Sequence, residues 1–332
     1  MKLLITGGCG FIGSHVVRQA LAIGHDVTNL DKLTYAGNPA NLSGVNTSKY
    51  RFVQGDIADA GVVDPLVAEA DAVINLAAET HVDRSIDSAD AFLRTNVIGV
   101  HVLCEVIKAS GRAVRLLQVS TDEVYGSIDS GAFSEGDRFS PSSPYSAAKA
   151  GGELMAFSYH TTHGLDVVST RGANTYGPNQ FPEKLIPFAV TELLEGRKIP
   201  MYGDGTQVRD WLHVNDHARA ILCVLENGKP GEAYNVPGEN ERQNIEVIRE
   251  ILKMMGLDES RIEKVKDRPG HDRRYAVDGA KLHDLGYGPV ETLAKGLVET
   301  VAWYQKYESW WRPLKEASKD FFARHYGKLG RT

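Results

Sequence analysis

The chain has little cysteine and no long hydrophobic run, and each shortage excludes a class of protein. Its 332 residues include three cysteines, Cys9, Cys104 and Cys223, which are widely separated and odd in number. Such usage fits neither a disulfide framework nor a metal-binding pattern, and it indicates a reducing compartment. No apolar run approaches the roughly 18 residues that a membrane helix needs. We therefore expect a cytoplasmic protein with no metal site and no membrane partner.

Positively charged residues are outnumbered by negatively charged ones. Lys and Arg number 37 against 43 Asp and Glu, which gives a net charge of −6 and a pI near 6.0. A chain with this mild acidity lacks the basic surface that nucleic acid or an anionic membrane requires. What is present is an ordinary globular composition, 42% apolar and 24% charged, on a chain long enough for about two domains. The sequence therefore predicts a soluble globular protein that does not bind nucleic acid.

Short apolar runs alternate with stretches of helical periodicity along the first half of the chain. This alternation is typical of βαβ units, and the continuous apolar character of the runs suits a sheet covered on both faces. The predicted strands are residues 2–6, 26–30, 51–54, 72–76, 115–120 and 166–170. The predicted helices between them are residues 12–23, 60–68, 88–109 and 144–162. The predicted fold class is therefore α/β, a doubly wound parallel sheet of the Rossmann type.

The pattern changes after residue 171, where prolines and loops become more frequent. Helical periodicity resumes at residues 183–195, 214–226, 244–255 and 292–306, with no flexible linker before them. We therefore expect a dinucleotide-binding domain over residues 1–171 and a smaller mixed α/β lobe over residues 172–332, interleaved with the first. The tail from Lys315 onward is basic and amphipathic, and we expect a frayed surface helix there.

A glycine loop over residues 7–13 follows the first predicted strand and opens the first predicted helix. Glycines are needed there because a dinucleotide pyrophosphate approaches the backbone at a helix N-terminus. Asp31 ends the second strand, where an acid binds the ribose hydroxyls of NAD and repels the extra phosphate of NADP. A cation such as Lys32 could tolerate that phosphate, but the pattern favours NAD. Asp56 and Ile57 lie where the adenine edge is expected, and the alternative for them is a helix cap.

Two adjacent acids, Asp122 and Glu123, follow Thr121 at the end of the fifth predicted strand. Burying both is costly, because like charges and desolvation disfavour ionisation. Farther along, Tyr145 and Lys149 are four residues apart and so share one face of a helix. A lysine ammonium and an oxidised nicotinamide would lower the phenol pKa from about 10 and make it a base. This set predicts oxidation of a hydroxyl; the alternative for the acids is a cap or loop position.

With the glycine loop, the Tyr-x-x-x-Lys pattern resembles the extended short-chain dehydrogenase/reductases. Within them the chain resembles the dTDP-glucose 4,6-dehydratases, over nearly its whole length from residue 2 to about residue 313. The blocks that carry this resemblance are residues 6–13, 31–38, 77–85, 120–126, 181–187 and 267–275. The triplet at 121–123 discriminates among relatives, because epimerases of this fold lack the acid pair. Sugar-nucleotide decarboxylases usually have a small residue in place of Asp122.

The resemblance implies a mechanism for the triplet. Tyr145 would deprotonate the glucose C4 hydroxyl, with Thr121 hydrogen-bonded to the same oxygen, and NAD would accept the C4 hydride. Glu123 would then remove the C5 proton, while a protonated Asp122 donates to the departing C6 hydroxyl, and the hydride returns to C6. Side chains alternate faces along an ideal strand. The triplet must therefore lie where the strand has already ended.

The resemblance also implies contact residues for the cofactor and the nucleotide sugar. Those for the cofactor are Gly7, Gly10, Phe11, Ile12, Gly13, Asp31, Lys32, Thr34, Asp56, Ile57, Ala77, Ala78, Thr95, Tyr145, Lys149 and Thr175. Those for the substrate are Thr80, Thr121, Asn174, Lys184, Leu185, Pro200, Tyr202, Arg209, Asn244 and His271. The alternative for Arg209 is a salt bridge to Asp210 or Asp216. Thr175 departs from the family, which usually has a second Asn there, and so does the Gly151-Gly152 pair, expected at the pocket rim.

The nucleotide and the class of function stay open. Uracil and thymine differ by one methyl group, which is worth only about 1–3 kcal/mol in a pocket. A UDP-glucose 4,6-dehydratase, or another UDP-sugar dehydratase or decarboxylase, is therefore the alternative among enzymes. From a different class, a catalytically silent NAD-sensing protein has the same fold. The resemblance also implies a homodimer, formed through the helices at 88–109 and 144–162.

Overall fold

The computed structural model describes residues 1–267 and 271–320 of the chain. Residues 268–270 of the last family block and residues 321–332 of the predicted tail helix lie outside the described residues. The strands are β1 (Lys2–Thr6), β2 (Asp26–Asp31), β3 (Tyr50–Gln54), β4 (Ala72–Asn75), β5 (Arg115–Thr121), β6 (Val167–Gly172), β7 (Asn174–Tyr176), β8 (Ile199–Tyr202), β9 (Val208–His213), β10 (Ala233–Val236), β11 (Glu241–Gln243) and β12 (Ile262–Val265).

Seven of these strands form the main sheet in the order β3-β2-β1-β4-β5-β6-β10. All neighbouring pairs are parallel, which confirms the predicted doubly wound α/β sheet. The seventh strand, β10, was not predicted, because a four-residue run pairs with β6 only through tertiary contacts. The order reverses between β1 and β4, and in sheets of this kind ligands bind at the carboxyl ends of the strands beside that reversal.

Twelve α-helices accompany the strands within the described part of the chain. They are α1 (Phe11–Ala22), α2 (Ala60–Glu69), α3 (Val82–Asp87), α4 (Asp90–Leu93), α5 (Gly99–Ser110), α6 (Pro144–His163), α7 (Leu185–Leu194), α8 (Val214–Asn227), α9 (Asn244–Met254), α10 (Ala280–His283), α11 (Leu293–Lys306) and α12 (Glu308–Ala317). The helix predicted over residues 88–109 is divided into α4, a π-helical turn at Arg94–Ile98, and α5. The apolar pattern does not report that change of hydrogen-bond register.

Apolar side chains of the sheet alternate between two layers of helices. Leu3 and Ile5 of β1 pack with Ile221 of α8, whereas Leu4 packs on the opposite face with Leu103 of α5. A third core joins α7, α9, α11 and α12 in the C-terminal part of the chain. Although α8 and β10 follow residue 171, they complete the main sheet and its covering layer.

The last described helix, α12, is docked rather than frayed, so the prediction of a frayed surface helix from Lys315 onward is wrong at residues 315–317, where α12 ends. Trp311 is completely buried in the third core, and the Lys315 ammonium is also buried. Its Nζ lies 2.6 Å from a Glu192 carboxylate oxygen and 2.7 Å from one of Glu195. An amphipathic pattern does not distinguish a helix on the surface from one that docks through its apolar face.

Candidate active site

A cavity of about 320 Å³ opens at the carboxyl ends of β1, β2, β4, β5 and β6. This is the edge of the sheet where the strand order reverses, the usual place for a ligand in such a fold. All sixteen residues expected at the cofactor line this cavity, from Gly7 to Thr175. The five expected catalytic residues, Thr121, Asp122, Glu123, Tyr145 and Lys149, line it as well.

The glycine loop forms one wall of the cavity, where it leaves no room for side chains. Gly7 has a φ of +71°, and a Cβ there would lie 2.7 Å from the backbone N of Ala77. A Cβ on Gly13 would lie 2.2 Å from the carbonyl oxygen of Gly7. Gly10 precedes α1, and no side chain in the described structure caps this N-terminus. An uncapped helix N-terminus with a side-chain-free approach fits a dinucleotide pyrophosphate.

The ends of β2 and β3 supply the acids near the expected adenosine. Both oxygens of Asp31 accept backbone N–H groups, Oδ2 from Cys9 at 2.9 Å and Oδ1 from Leu33 at 2.8 Å. Lys32 Nζ lies 2.9 Å from Asp56 Oδ2, so the cation that could tolerate an extra phosphate is paired with a carboxylate. Asp56 does not cap α2, because Asp59 accepts the N–H of its first turn. These positions fit the ribose of NAD.

The acid triplet lies where the chain leaves the sheet. Thr121 is the last residue of β5, and a 3₁₀ turn follows at once over Asp122–Tyr125. Thr121 Oγ1 accepts the N–H of Glu123 at 3.3 Å and donates to Asp122 Oδ1 at 3.1 Å. Because the turn replaces strand alternation after Thr121, all three side chains line the same cavity. This meets the geometric condition that the predicted mechanism imposes.

Asp122 is the more buried of the two acids, with 2% of its surface exposed. Within the described structure its Oδ2 has no hydrogen-bond partner. Burial raises the pKa of this carboxyl well above its usual value, and the charges of Glu123 and Asp210 raise it further. The hydrogen bond from Thr121 and the charge of Arg209 act in the opposite direction. Burial and the neighbouring Glu123 therefore both favour the protonated form of Asp122.

Tyr145 and Lys149 lie in the first two turns of α6. Pro144 begins this helix, and Ser143 and Ser146 close its N-terminus with reciprocal hydrogen bonds of 3.1 Å. Both reactive side chains are buried. Burial lowers the pKa of Lys149 to about 8, while Glu153 acts to raise it. The ammonium donates to the carbonyl oxygen of Val119 at 2.5 Å.

The phenol of Tyr145 does not show the lowered pKa that the sequence predicts. Burial raises this pKa, and the charges of Glu123 and Asp122 raise it further, while the Thr121 hydroxyl acts in the opposite direction. Formation of a phenolate therefore requires additional positive charge, such as that of an oxidised nicotinamide ring. The protein alone keeps the base neutral.

Half of the ten predicted substrate residues line the cavity: Thr80, Thr121, Asn174, Lys184 and Leu185. The other five come from the C-terminal part and do not line it: Pro200, Tyr202, Arg209, Asn244 and His271. The rings of Tyr202 and His271 are 5.9 Å apart. The Arg209 guanidinium lies 4.4 Å from the ring centre of Tyr275 and donates to the Asp272 carbonyl at 2.9 Å.

The structure adds lining residues that sequence reasoning missed, among them Glu79, Glu183, His217 and Trp310. Glu183 accepts from the Tyr35 hydroxyl at 2.9 Å and lies 3.1 Å from Arg84 of α3, which joins three separate segments of the chain beside the cavity. Tyr35, Arg84 and Glu183 each lie within a family block, which was the available signal. Trp310 reaches the cavity from α12, and only the docking of that helix reveals it.

The two departures from the family pattern have local explanations. Thr175 Oγ1 lies 2.7 Å from His217 Nδ1, so it binds a histidine of α8 at the cavity wall. A Cβ on Gly152 would lie 2.0 Å from the Asn96 carbonyl oxygen, so this glycine allows α6 to pack closely on the π-helical turn. Neither Gly151 nor Gly152 lines the cavity, and the expectation that they flank its rim is wrong.

The described residues contain no cluster of three or more side chains suited to hold a metal ion. No helix in the same part of the chain is long and apolar enough to cross a membrane. The three cysteines are unpaired.

The comparisons with known proteins cover almost the whole chain. The model of the GDP-mannose 4,6 dehydratase family matches residues 4–300. The chain is 50% identical over 323 residues to the dTDP-glucose 4,6-dehydratase of Streptomyces niveus, covering 95% of this chain and 96% of that one. It is 45% identical over 326 residues to the dTDP-glucose 4,6-dehydratase of Mycobacterium tuberculosis, covering 96% and 98%.

Solved structures agree with these sequence matches. The dTDP-glucose 4,6-dehydratase of Streptomyces venezuelae with NAD bound has a TM-score of 0.93 at 51% identity, covering 95% of this chain and all of that one. The UDP-glucose 4-epimerase of Thermotoga maritima with UDP-glucose has a TM-score of 0.85 at 29% identity, covering 92% and 99%.

Proposed function

The chain belongs to the GDP-mannose 4,6-dehydratase family and, within it, to the dTDP-glucose 4,6-dehydratases, and we propose how its cavity performs that reaction. It is an NAD-dependent hydro-lyase that converts dTDP-glucose to dTDP-4-keto-6-deoxyglucose. The observation that carries the dehydration is the acid pair: Asp122, whose carboxyl pKa is raised by burial, and the adjacent Glu123 line one cavity with Tyr145. Splitting two neighbouring carboxyls into one acid and one base is what an elimination requires.

Each proton transfer has a candidate group in the cavity. Tyr145 takes the proton of the sugar C4 hydroxyl, and Thr121 Oγ1 hydrogen-bonds the same oxygen. The C4 ketone acidifies the C5 proton, which Glu123 removes. Asp122 donates its proton to the C6 hydroxyl, which leaves as water.

The cofactor site completes a redox-neutral cycle. When bound, NAD would accept the hydride from C4 and later supply it to C6, while C5 is reprotonated. The glycine loop holds the pyrophosphate, Asp31 holds the ribose, and Lys149 contributes positive charge beside Tyr145. Because the cycle regenerates the oxidised cofactor, the walls of the cavity need to retain it between the two half-reactions.

The nucleotide end of the substrate extends toward the C-terminal part of the chain. Asn174, Lys184 and Leu185 are already in the cavity wall, and Arg209 acts electrostatically on Asp122 from nearby. A guanidinium binds pyrophosphate oxygens bidentately. We assign Arg209 to the diphosphate, and Pro200, Tyr202, Asn244 and His271 to the base and its sugar. We also propose a dinucleotide-binding domain over residues 1–171 and a smaller nucleotide-sugar lobe over residues 172–332 that is interleaved with it, since β10 of the second part completes the sheet of the first.

A second copy of the chain would cover an apolar surface on the helices beside the active site. Leu93, Ile98 and Leu154 are about half exposed, at 51%, 48% and 58%. They lie on α4, the π-helical turn and α6, which pack side by side. This supports a homodimer, and Leu154→Glu should shift sedimentation toward the monomer, whereas Leu154→Met should not. The three unpaired thiols fit a cytoplasmic location.

The substrate assignment is tested by incubating the purified protein with dTDP-glucose and then adding alkali. A 4-keto-6-deoxy sugar gives a characteristic absorbance in alkali, and we expect that signal with dTDP-glucose. A parallel reaction with UDP-glucose is the control, and a signal only there would reassign the nucleotide. Silence with both substrates in a protein that binds NAD would favour a sensor of the same fold.

A further inference from the structure

One buried face of α6 continues past the two reactive residues. Tyr145, Lys149 and Glu153 follow one another at a spacing of four, which stacks their side chains along one face of the helix. Glu153 has no exposed surface at all. Helical side chains point back toward the N-terminus, so the side chain of Glu153 is expected over the turn that contains Lys149. A carboxylate buried at this point calls for an explanation.

The carboxylate is held at one end only. Arg171 of β6 donates to Glu153 Oε1 from Nε at 2.8 Å and from a terminal nitrogen at 2.7 Å. Arg171 also donates to the Tyr125 hydroxyl and lies 4.7 Å from the centre of the Phe139 ring. The second oxygen, Oε2, has no hydrogen-bond partner among the residues that the structure describes. A buried ion pair is costly to desolvate, so it adds little stability by itself.

Burial also disfavours the charged form of Lys149, because a buried ammonium tends to lose its proton. The other ionisable groups around it do not hold that proton. His217 of α8 is neutral, since burial and the Lys149 charge lower its pKa to about 4. Tyr145 and Asp122 are also neutral, because burial raises the pKa of each. Around Glu153, the Tyr125 phenol is neutral too, with a pKa raised to about 12.

We propose that Glu153, fixed by Arg171, is a positioning residue that keeps Lys149 in its charged form and thereby supports Tyr145 as the base. This inference rests on the proposed oxidation of the C4 hydroxyl by Tyr145. Glu153 does not line the cavity, and it acts through Lys149. It is the group whose charge favours the ammonium against burial. The three residues thus form an electrostatic series along α6: carboxylate, ammonium, phenol.

The test is the pH dependence of kcat/KM in Glu153→Gln. Without the carboxylate the ammonium loses its proton at a lower pH, so the alkaline limb should move down by about one pH unit. NAD retention should stay unchanged. The matched control is Glu192→Gln, which removes another buried, ion-paired carboxylate, bonded to Arg197 and Lys315, none of which lines the cavity. A lowered melting temperature with an unshifted profile in Glu153→Gln would mean a merely structural role and overturn the proposal.

Leaving Arg171 unpaired could prevent folding of the single variant. The double variant Glu153→Gln, Arg171→Gln removes both charges and leaves none uncompensated, which proteins tolerate better. A smaller downward shift of the alkaline limb is expected there, because the positive charge of Arg171 is removed together with the carboxylate, and the absence of any shift would also overturn the proposal. Turnover by the wild-type protein distinguishes failure of the proposed function from failure of the role of Glu153. No turnover of dTDP-glucose refutes the proposed function, whereas normal turnover with unshifted variants refutes only the role of Glu153.

A measurement independent of activity is the free energy of unfolding from pH 6 to 9. The folded pKa of Lys149 is lowered to about 8. The cost of burying the charged form is therefore present below that pH and is relieved as the pH rises through it. In Glu153→Gln the relief begins at a lower pH. The destabilisation of the variant should therefore be larger at pH 6 than at pH 9, and an equal destabilisation at both would contradict the coupling.

Discussion

The two ends of the cavity are built from different materials. At the cofactor end the walls are main chain: glycines, an uncapped helix N-terminus, and an acid, Asp31, whose two oxygens both accept backbone N–H groups. At the reacting end the walls are ionisable side chains. Asp122 has an oxygen without a hydrogen bond in the described structure, and Lys149 donates to a single backbone carbonyl. The residues that bind the cofactor thus have satisfied hydrogen bonds. The reactive residues are buried and leave hydrogen-bonding groups without partners.

If that division is correct, a change at the reacting end should remove chemistry and leave binding intact. Tyr145→Phe removes the base, and we expect kcat to fall by about 10³–10⁴-fold, near the upper range for general base catalysis. Neither transient reduced cofactor nor the keto sugar should form. NAD bound to the purified protein should equal that of wild type. Tyr159→Phe, on the same helix but bonded to Glu105 and outside the cavity, is the control and should remain active.

A change in the acid pair should separate oxidation at C4 from the elimination of water. Glu123→Gln should slow elimination by about 10²–10³-fold, because an amide does not accept the C5 proton. Oxidation at C4 should continue, so the absorbance of reduced nicotinamide should rise during a single turnover and persist. Full dehydration by this variant would assign the C5 proton to another base.

A change at the cofactor end should weaken NAD binding and leave the reactive residues intact. Gly13→Ala places a Cβ 2.2 Å from the Gly7 carbonyl oxygen, which forces the loop apart. We expect NAD affinity to fall on the order of 100-fold, since small displacements at such sites have effects of that size. Activity should recover in part when NAD is supplied in excess. Gly136→Ala, where a Cβ meets nothing within 4 Å, should bind NAD normally.

The smallest effect concerns stability. Asp122 costs the fold free energy at neutral pH, because its pKa is raised by burial: the unfolded chain ionises there and the folded chain does not. This cost is absent below the usual carboxyl pKa and grows as the pH rises above it. Asp122→Asn should therefore be inactive in elimination but more stable at pH 7, by about 1–2 kcal/mol. At pH 3 this gain should vanish, and a gain that is the same at both values would contradict the assignment.

The cofactor end could be predicted from the sequence because its residues follow strands of one sheet. Once the glycine loop and Asp31 are placed after β1 and β2, parallel topology brings them together. At the reacting end, the three side chains of the triplet converge only because a 3₁₀ turn follows Thr121. The sequence indicated that the strand must end there but did not predict the turn. Arg209, Tyr202 and their neighbours depend on how a second set of strands packs, and no local pattern reports that. The same holds for Trp310, which reaches the cavity only because α12 docks through Trp311 and Lys315.

One cavity is expected to remove the hydride from C4 of the sugar and to deliver it to C6 without releasing it. Substrate carrying deuterium at C4 tests this directly when the product is examined by mass spectrometry and NMR. We expect the label at C6 of the keto sugar, with none in solvent and none on released cofactor. Label lost from the product, or found on cofactor free in solution, would contradict a single cavity that performs both half-reactions.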